Sequence, residues 1–131
     1  MERTTRITKA DFFSGIFAVV ALSGHKGLFF NKAFDEDVAR IFQELMEHAK
    51  QRGIDMGFRI RLHPFHGDSE TIHKGVFAAV QRGIISVDTP ENSIIRIKLS
   101  QDEARVILNN ITGGKLFIDF ADRIIMILSH Y

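Results

Sequence analysis

A mostly helical α+β fold is what this sequence predicts, and three observations predict it. Apolar residues recur at three- to four-residue spacing through several long segments, runs rich in β-branched residues are few and short, and glycines or a capping motif stand where the helical patterns stop or start. The chain of 131 residues, with 45% hydrophobic and 25% charged side chains, has the size of one domain (residues 1–131) able to bury a core without disulfides.

The first helix is expected over residues 9–23. Its stretch Thr8-Lys-Ala-Asp11 reads as an N-cap with an acid at the third helical position. Phe12, Phe13, Ile16, Phe17, Val19, Val20 and Leu22 make it apolar on nearly every side, so it must be buried all round, as a central helix or at a dimer interface. Arg3, Arg6 and Lys9 ahead of this run superficially match a signal peptide, but Asp11 at its edge argues for a folded helix start, and the run is too short to span a bilayer.

A second helix is expected over residues 35–52, with Val38, Ile41, Phe42, Leu45 and Ala49 on one face and Gly53 behind it. Residues 57–62 alternate, Phe58, Ile60 and Leu62 facing one way and Arg59 and Arg61 the other, which predicts a half-buried strand. Ile72, Val76, Phe77 and Val80 give one stripe of a third helix capped by Asp68 or Ser69 and stopped by Gly83. Residues 84–87 and 94–99 are β-rich, and Asp88-Thr-Pro-Glu-Asn-Ser93 between them is turn chemistry, so a hairpin follows. Ser100-Gln-Asp-Glu103 is a capping box opening a helix through Ile111, with Ala104, Ile107, Leu108 and Ile111 buried and Thr112-Gly-Gly114 ending it. From residue 115 to 130 the pattern fits a helix with Asp119 and Arg123 paired at i,i+4; a hairpin turning at Ala121-Asp122 is disfavoured because no Gly, Pro or Asn stands at the turn.

The order from residue 69 to 99, with Gln81-Arg-Gly-Ile-Ile-Ser-Val87 followed by Ile95-Arg-Ile-Lys-Leu-Ser100, resembles the helix end and wing of winged-helix proteins in general. The resemblance implies a helix plus β-hairpin with a small three-stranded sheet, packed here on the apolar N-terminal helix. The resemblance leaves the partner open; with no catalytic, metal or nucleotide motif standing out elsewhere in the sequence, the expectation is binding rather than catalysis, first as a DNA-binding transcriptional regulator. The other reading is a protein-interaction or inhibitor module of the adaptor, antitoxin or phage and host-defence kind. Against standard DNA contact stand the few cations of the third helix and a wing tip carrying Asp88 and Glu91.

Seventeen basic and sixteen acidic residues give a formal charge of +1, so DNA contact would need a local patch. If residues 57–62 pair with 94–99, then Arg59, Arg61, Arg96 and Lys98 share one sheet face, and with Thr71, Lys74 and Gln81 they are the expected nucleic-acid or partner-binding set. Zero cysteines exclude disulfides, thiolate metal sites and cysteine nucleophiles and fit a reducing, cytoplasmic setting. With twelve Phe, one Tyr and no Trp, most aromatic area lacks a polar handle and belongs to the core.

His63, His66 and His73 with Asp68 are the weak metal candidates, and a metal-dependent enzyme built on that loop is the third reading; their spacing matches no established zinc pattern. Thr112-Gly-Gly-Lys115 lacks the rest of a phosphate loop and is explained as a helix stop. Neither a catalytic residue nor a cofactor is expected, and the partners expected are DNA or an acidic protein, with a homodimer also open and no membrane.

Overall fold

In a computed structural model, which describes residues 5–60, 69–88 and 94–128, the protein is a mixed α+β structure dominated by helix. Its elements are β1 (Thr5–Ile7), α1 (Lys9–Leu22), β2 (Gly27–Phe29), α2 (Lys32–Gln51), β3 (Ile54–Met56), α3 (Ser69–Gln81), β4 (Ile85–Val87), β5 (Ile94–Ile97), α4 (Gln101–Asn110), α5 (Gly114–Asp119) and α6 (Ala121–Leu128).

The first helix is the axis of the fold. Thr8 caps it by accepting from the Asp11 N–H at 3.1 Å, and every residue from Phe12 to Ala21 is buried. α3, α4, α5 and α6 pack around it, and β5 touches it. Close approach is bought at two glycines: a Cβ on Gly15 would meet the Phe117 ring at 2.8 Å, and one on Gly75 of α3 would collide with the ring of Phe13. Phe12 meets Phe13, Phe42 and Phe58 edge to face in the same core, with ring centroids 5.3–5.7 Å apart, the geometry aromatic quadrupoles favour.

α2 starts three residues earlier than its apolar pattern announced, because Asn31 is the cap and accepts from the Phe34 N–H at 3.0 Å. Its C-terminus is closed by Gly53 at φ 71°, a left-handed conformation natural to glycine. The capping box of α4 forms in both directions, Glu103 N–H to Ser100 Oγ at 3.1 Å and Ser100 N–H to Glu103 Oε1 at 3.0 Å.

The C-terminal segment is helical and does not form a hairpin, but it is two helices instead of one. Phe120, its ring 4.2 Å from that of His48, sits at the break with φ −104°. The bend cancels the expected Asp119–Arg123 pair. Both side chains turn to α2 instead, or to its C-cap: Asp119 to Arg52 at 2.7 Å and Arg123 to Glu44 through two bonds of 2.8 and 3.0 Å.

The strands depart furthest from expectation. Two sheets form, a parallel pair β1–β3 and an antiparallel three-stranded sheet in the order β2–β5–β4. The hairpin of β4 and β5 is as expected, but the third strand of its sheet is β2, not residues 57–60; residues 61 and 62 of the expected strand lie outside the described residues. The strand next to those residues ends at Met56, and the Gly57 N–H donates to Ile7 O at 2.7 Å to close the pairing with β1. β5 lies in the middle of its sheet, with β2 on one side and β4 on the other, so β5 itself has no edge left for a further strand. Among the described residues no helix is long and apolar enough to cross a membrane.

Candidate interaction face

α3 presents two contrasting sides. Ile72, Val76 and Ala79 are buried, and Gly75 lies against Phe13; these positions, three and four apart, form the stripe that meets α1. Phe77 was expected in that stripe. It is 46% exposed instead, because Gly75 is the residue small enough to take the inward place under the Phe13 ring, and the helix turn then carries position 77 outward.

The outward side reads Glu70, His73, Lys74, Phe77 and Gln81, all exposed, with Thr71 at its half-buried margin. Lys74 is held by Glu70 one turn back at 3.1 Å. His73 and Phe77 are also one turn apart, and the His73 ring lies 4.8 Å from that of Phe30, just past β2. On the other flank of His73, Nε2 stands 4.0 Å from Asp35 Oδ2. Asp35 is buried, and its Oδ1 has no hydrogen-bond partner among the described residues. Burial pushes its carboxyl above the usual range, His73 pulls it back, and Glu36 adds to the rise.

Arg82, just past the end of α3, is tied down: Nη1 donates to Asp11 Oδ1 and to the buried Ser14 Oγ, both at 3.0 Å. On the hairpin, Arg96 Nε donates to Asp88 Oδ2 at 2.7 Å, and Lys98 is exposed. Cross-strand register puts Arg96 opposite both Gly27 and Ser86, and Phe29 opposite Ile94, on the outer side of the sheet, while Leu28 and Ile95 are buried on the inner side. Phe29 is 52% exposed beside Ile94, and together with Gly27 and Leu28 they line a shallow depression of about 220 Å³.

The expected convergence of four cations on one sheet face does not occur. Arg96 and Lys98 belong to the β5 strand and its end, whereas Arg59 follows β3, on the parallel pair, and lines a separate cavity with Arg6 and Lys50. Arg61, His63, His66, Asp68 and Glu91 lie outside the described residues. His73, the third metal candidate, is described, and no group of three metal-ligating side chains occurs among the described residues. Gly113, at φ 78°, is the residue before α5, and a Cβ on Gly114 would collide with the Leu108 carbonyl, so both glycines of the 112–115 string answer to backbone geometry.

The sequence pattern did not disclose the outward Phe77, the β2 strand with Phe29, or the Arg6 and Lys50 cavity. The strand had no legible signal, since three residues are too few for an alternation. Comparison with protein-family models, curated proteins and solved structures finds no match for this chain.

Proposed function

We propose that this chain is a non-catalytic binding module of winged-helix type whose ligand is a protein, docked on the outward face of α3 around Phe77. The observation that carries the reading is the pairing of cations along the helix and hairpin. Lys74, Arg82 and Arg96 each face a carboxylate within 3.1 Å, while Phe77, one turn on from Lys74 along α3, is left 46% exposed. Phosphate binding draws on free cations and the release of their counterions, whereas aromatic anchors ringed by polar groups are the usual energetic centre of protein interfaces. The helix followed by an antiparallel hairpin supports the winged-helix reading, and the lack of cysteine fits work in the reducing cytoplasm.

A photo-crosslinking phenylalanine analogue at position 77, introduced in cells, tests this. The expected result is a protein adduct that is absent when the analogue replaces Arg105 on the exposed side of α4. An adduct to nucleic acid, with salt-sensitive binding of a duplex in vitro, would replace this reading by the DNA-binding regulator; no adduct at all would overturn both.

A further inference from the structure

A second concave site lies away from α3, between α2 and the parallel strand pair. Its volume is about 470 Å³, within the range of roughly 300–1,000 Å³ that small organic ligands occupy. The lining divides by chemistry. Phe42, Met46, Ile54, Met56, Phe58 and Ile60 supply an apolar floor, and Arg6, Lys50 and Arg59 stand as exposed cations around it, with Asp55 as the one carboxylate among the described lining residues.

The floor is firm: Phe42 and Ile60 are 1% exposed, and Phe58 is held edge-on against Phe12 at 5.3 Å and tilted against Phe42 at 5.1 Å. The cations come from three different places in the chain: β1, the end of α2, and the segment after β3. Asp55 is the cross-strand partner of Arg6, yet none of the three cations forms an ion pair with a described residue. This contrasts with α3 and the hairpin, where Lys74, Arg82 and Arg96 are paired. Among the described lining residues, three cations against one carboxylate leave an excess of positive charge over an apolar hollow, and such a low-dielectric concavity concentrates the field on whatever enters it.

We propose that this cavity binds an amphipathic organic anion, its acidic head held by Arg6, Lys50 and Arg59 and its apolar body lying on Phe42, Met46 and Phe58. A cation would be repelled by the rim, and a bare inorganic anion would leave the apolar floor wet. An uncharged apolar molecule would gain nothing from the three side chains that the fold has gathered there. Only a ligand with both parts satisfies both halves of the lining.

Octanoate, with octanol as its uncharged counterpart, is the probe. In protein carrying ¹³C-labelled methionine methyls, octanoate is expected to shift the Met46 and Met56 signals saturably while leaving Met126 of α6 unmoved. Octanol should bind at least about fivefold more weakly, and Arg59→Ala and Lys50→Ala should each weaken octanoate about five- to tenfold without changing octanol, as befits loss of a charge-assisted contact. Met46→Trp, which fills the hollow, should abolish the shifts for both probes. Equal binding of octanoate and octanol, shifts at Met126 as large as those at Met46, or no saturable shift by millimolar octanoate would each overturn the proposal.

Discussion

Arg52 and Asp119, 67 residues apart, meet at 2.7 Å between Nη1 and Oδ2, and that contact ties the end of α2 to the end of α5. Arg123 grips Glu44 by two parallel bonds further along the same helix. Together they replace the local Asp119–Arg123 pair that the i,i+4 spacing announced. The pairs are part-exposed, with side chains 33–43% accessible, so each contributes modestly. A double-mutant cycle on Arg52 and Asp119 should return a coupling of about 0.5 kcal/mol, and one on Arg123 and Glu44 somewhat more because the fork is bidentate. A cycle on Asp119 and Arg123 should return none. Coupling in that third cycle exceeding the other two would restore a continuous C-terminal helix.

The Arg123 guanidinium holds the Glu44 carboxyl below its usual range, through the hydrogen bond first and charge second. A lowered folded value means stabilisation present above the unfolded value and lost as pH falls through the folded one. Glu44→Gln should therefore be less stable than the parent at pH 7, with the gap closing below about pH 4.

Asp35 has the opposite sign. Its carboxyl is raised above the ordinary 3.8 by burial, so the charged form burdens the folded state at neutral pH, and the burden lifts as pH falls through the raised value toward 3.8. Asp35→Asn should melt higher than the parent at pH 7 and converge with it in acid. A difference constant across that range would mean the carboxylate is not penalised by its burial.

Gly75→Ala is a substitution that ordinarily strengthens a helix by about 1 kcal/mol. Here the added methyl collides with the Phe13 ring, and overpacking costs roughly 1–3 kcal/mol, so a lowered denaturation midpoint is expected. A raised midpoint would show that α1 and α3 stand further apart.

Ser100→Ala should cost about 1 kcal/mol, and Glu103→Ala added to it should cost less than its own separate value, because the two bonds of the box are reciprocal. Additive losses in urea unfolding would sink the reciprocal box.

Helices were legible in this sequence where periodicity and caps agreed: the all-round burial of Phe12 to Ala21 and the Ser100–Glu103 box are found as read. The strands β1 and β2 were not, since three residues each are too few for alternation to stand out, whereas β4 and β5 were marked by β-branched runs around a turn; which strand pairs with which is decided by the edges that remain open. Residues 57–62 alternate well, yet β5 already has a neighbour on each side. That one error dispersed the expected cation face. Phe77 was misplaced because an apolar periodicity shows which residues resemble a core; it does not show that a neighbouring glycine has taken the inward seat.

The all-round burial of α1 also sets a timetable for synthesis. α1 is made well before α4, α5 and α6, which sheathe much of it and follow only after residue 100. At roughly 5–20 residues per second, the nascent chain carries an unsheathed run of phenylalanines for several seconds. Stable packing of α1 therefore has to wait until α4, α5 and α6 have been made, and the waiting chain has the properties of a client for holdase chaperones.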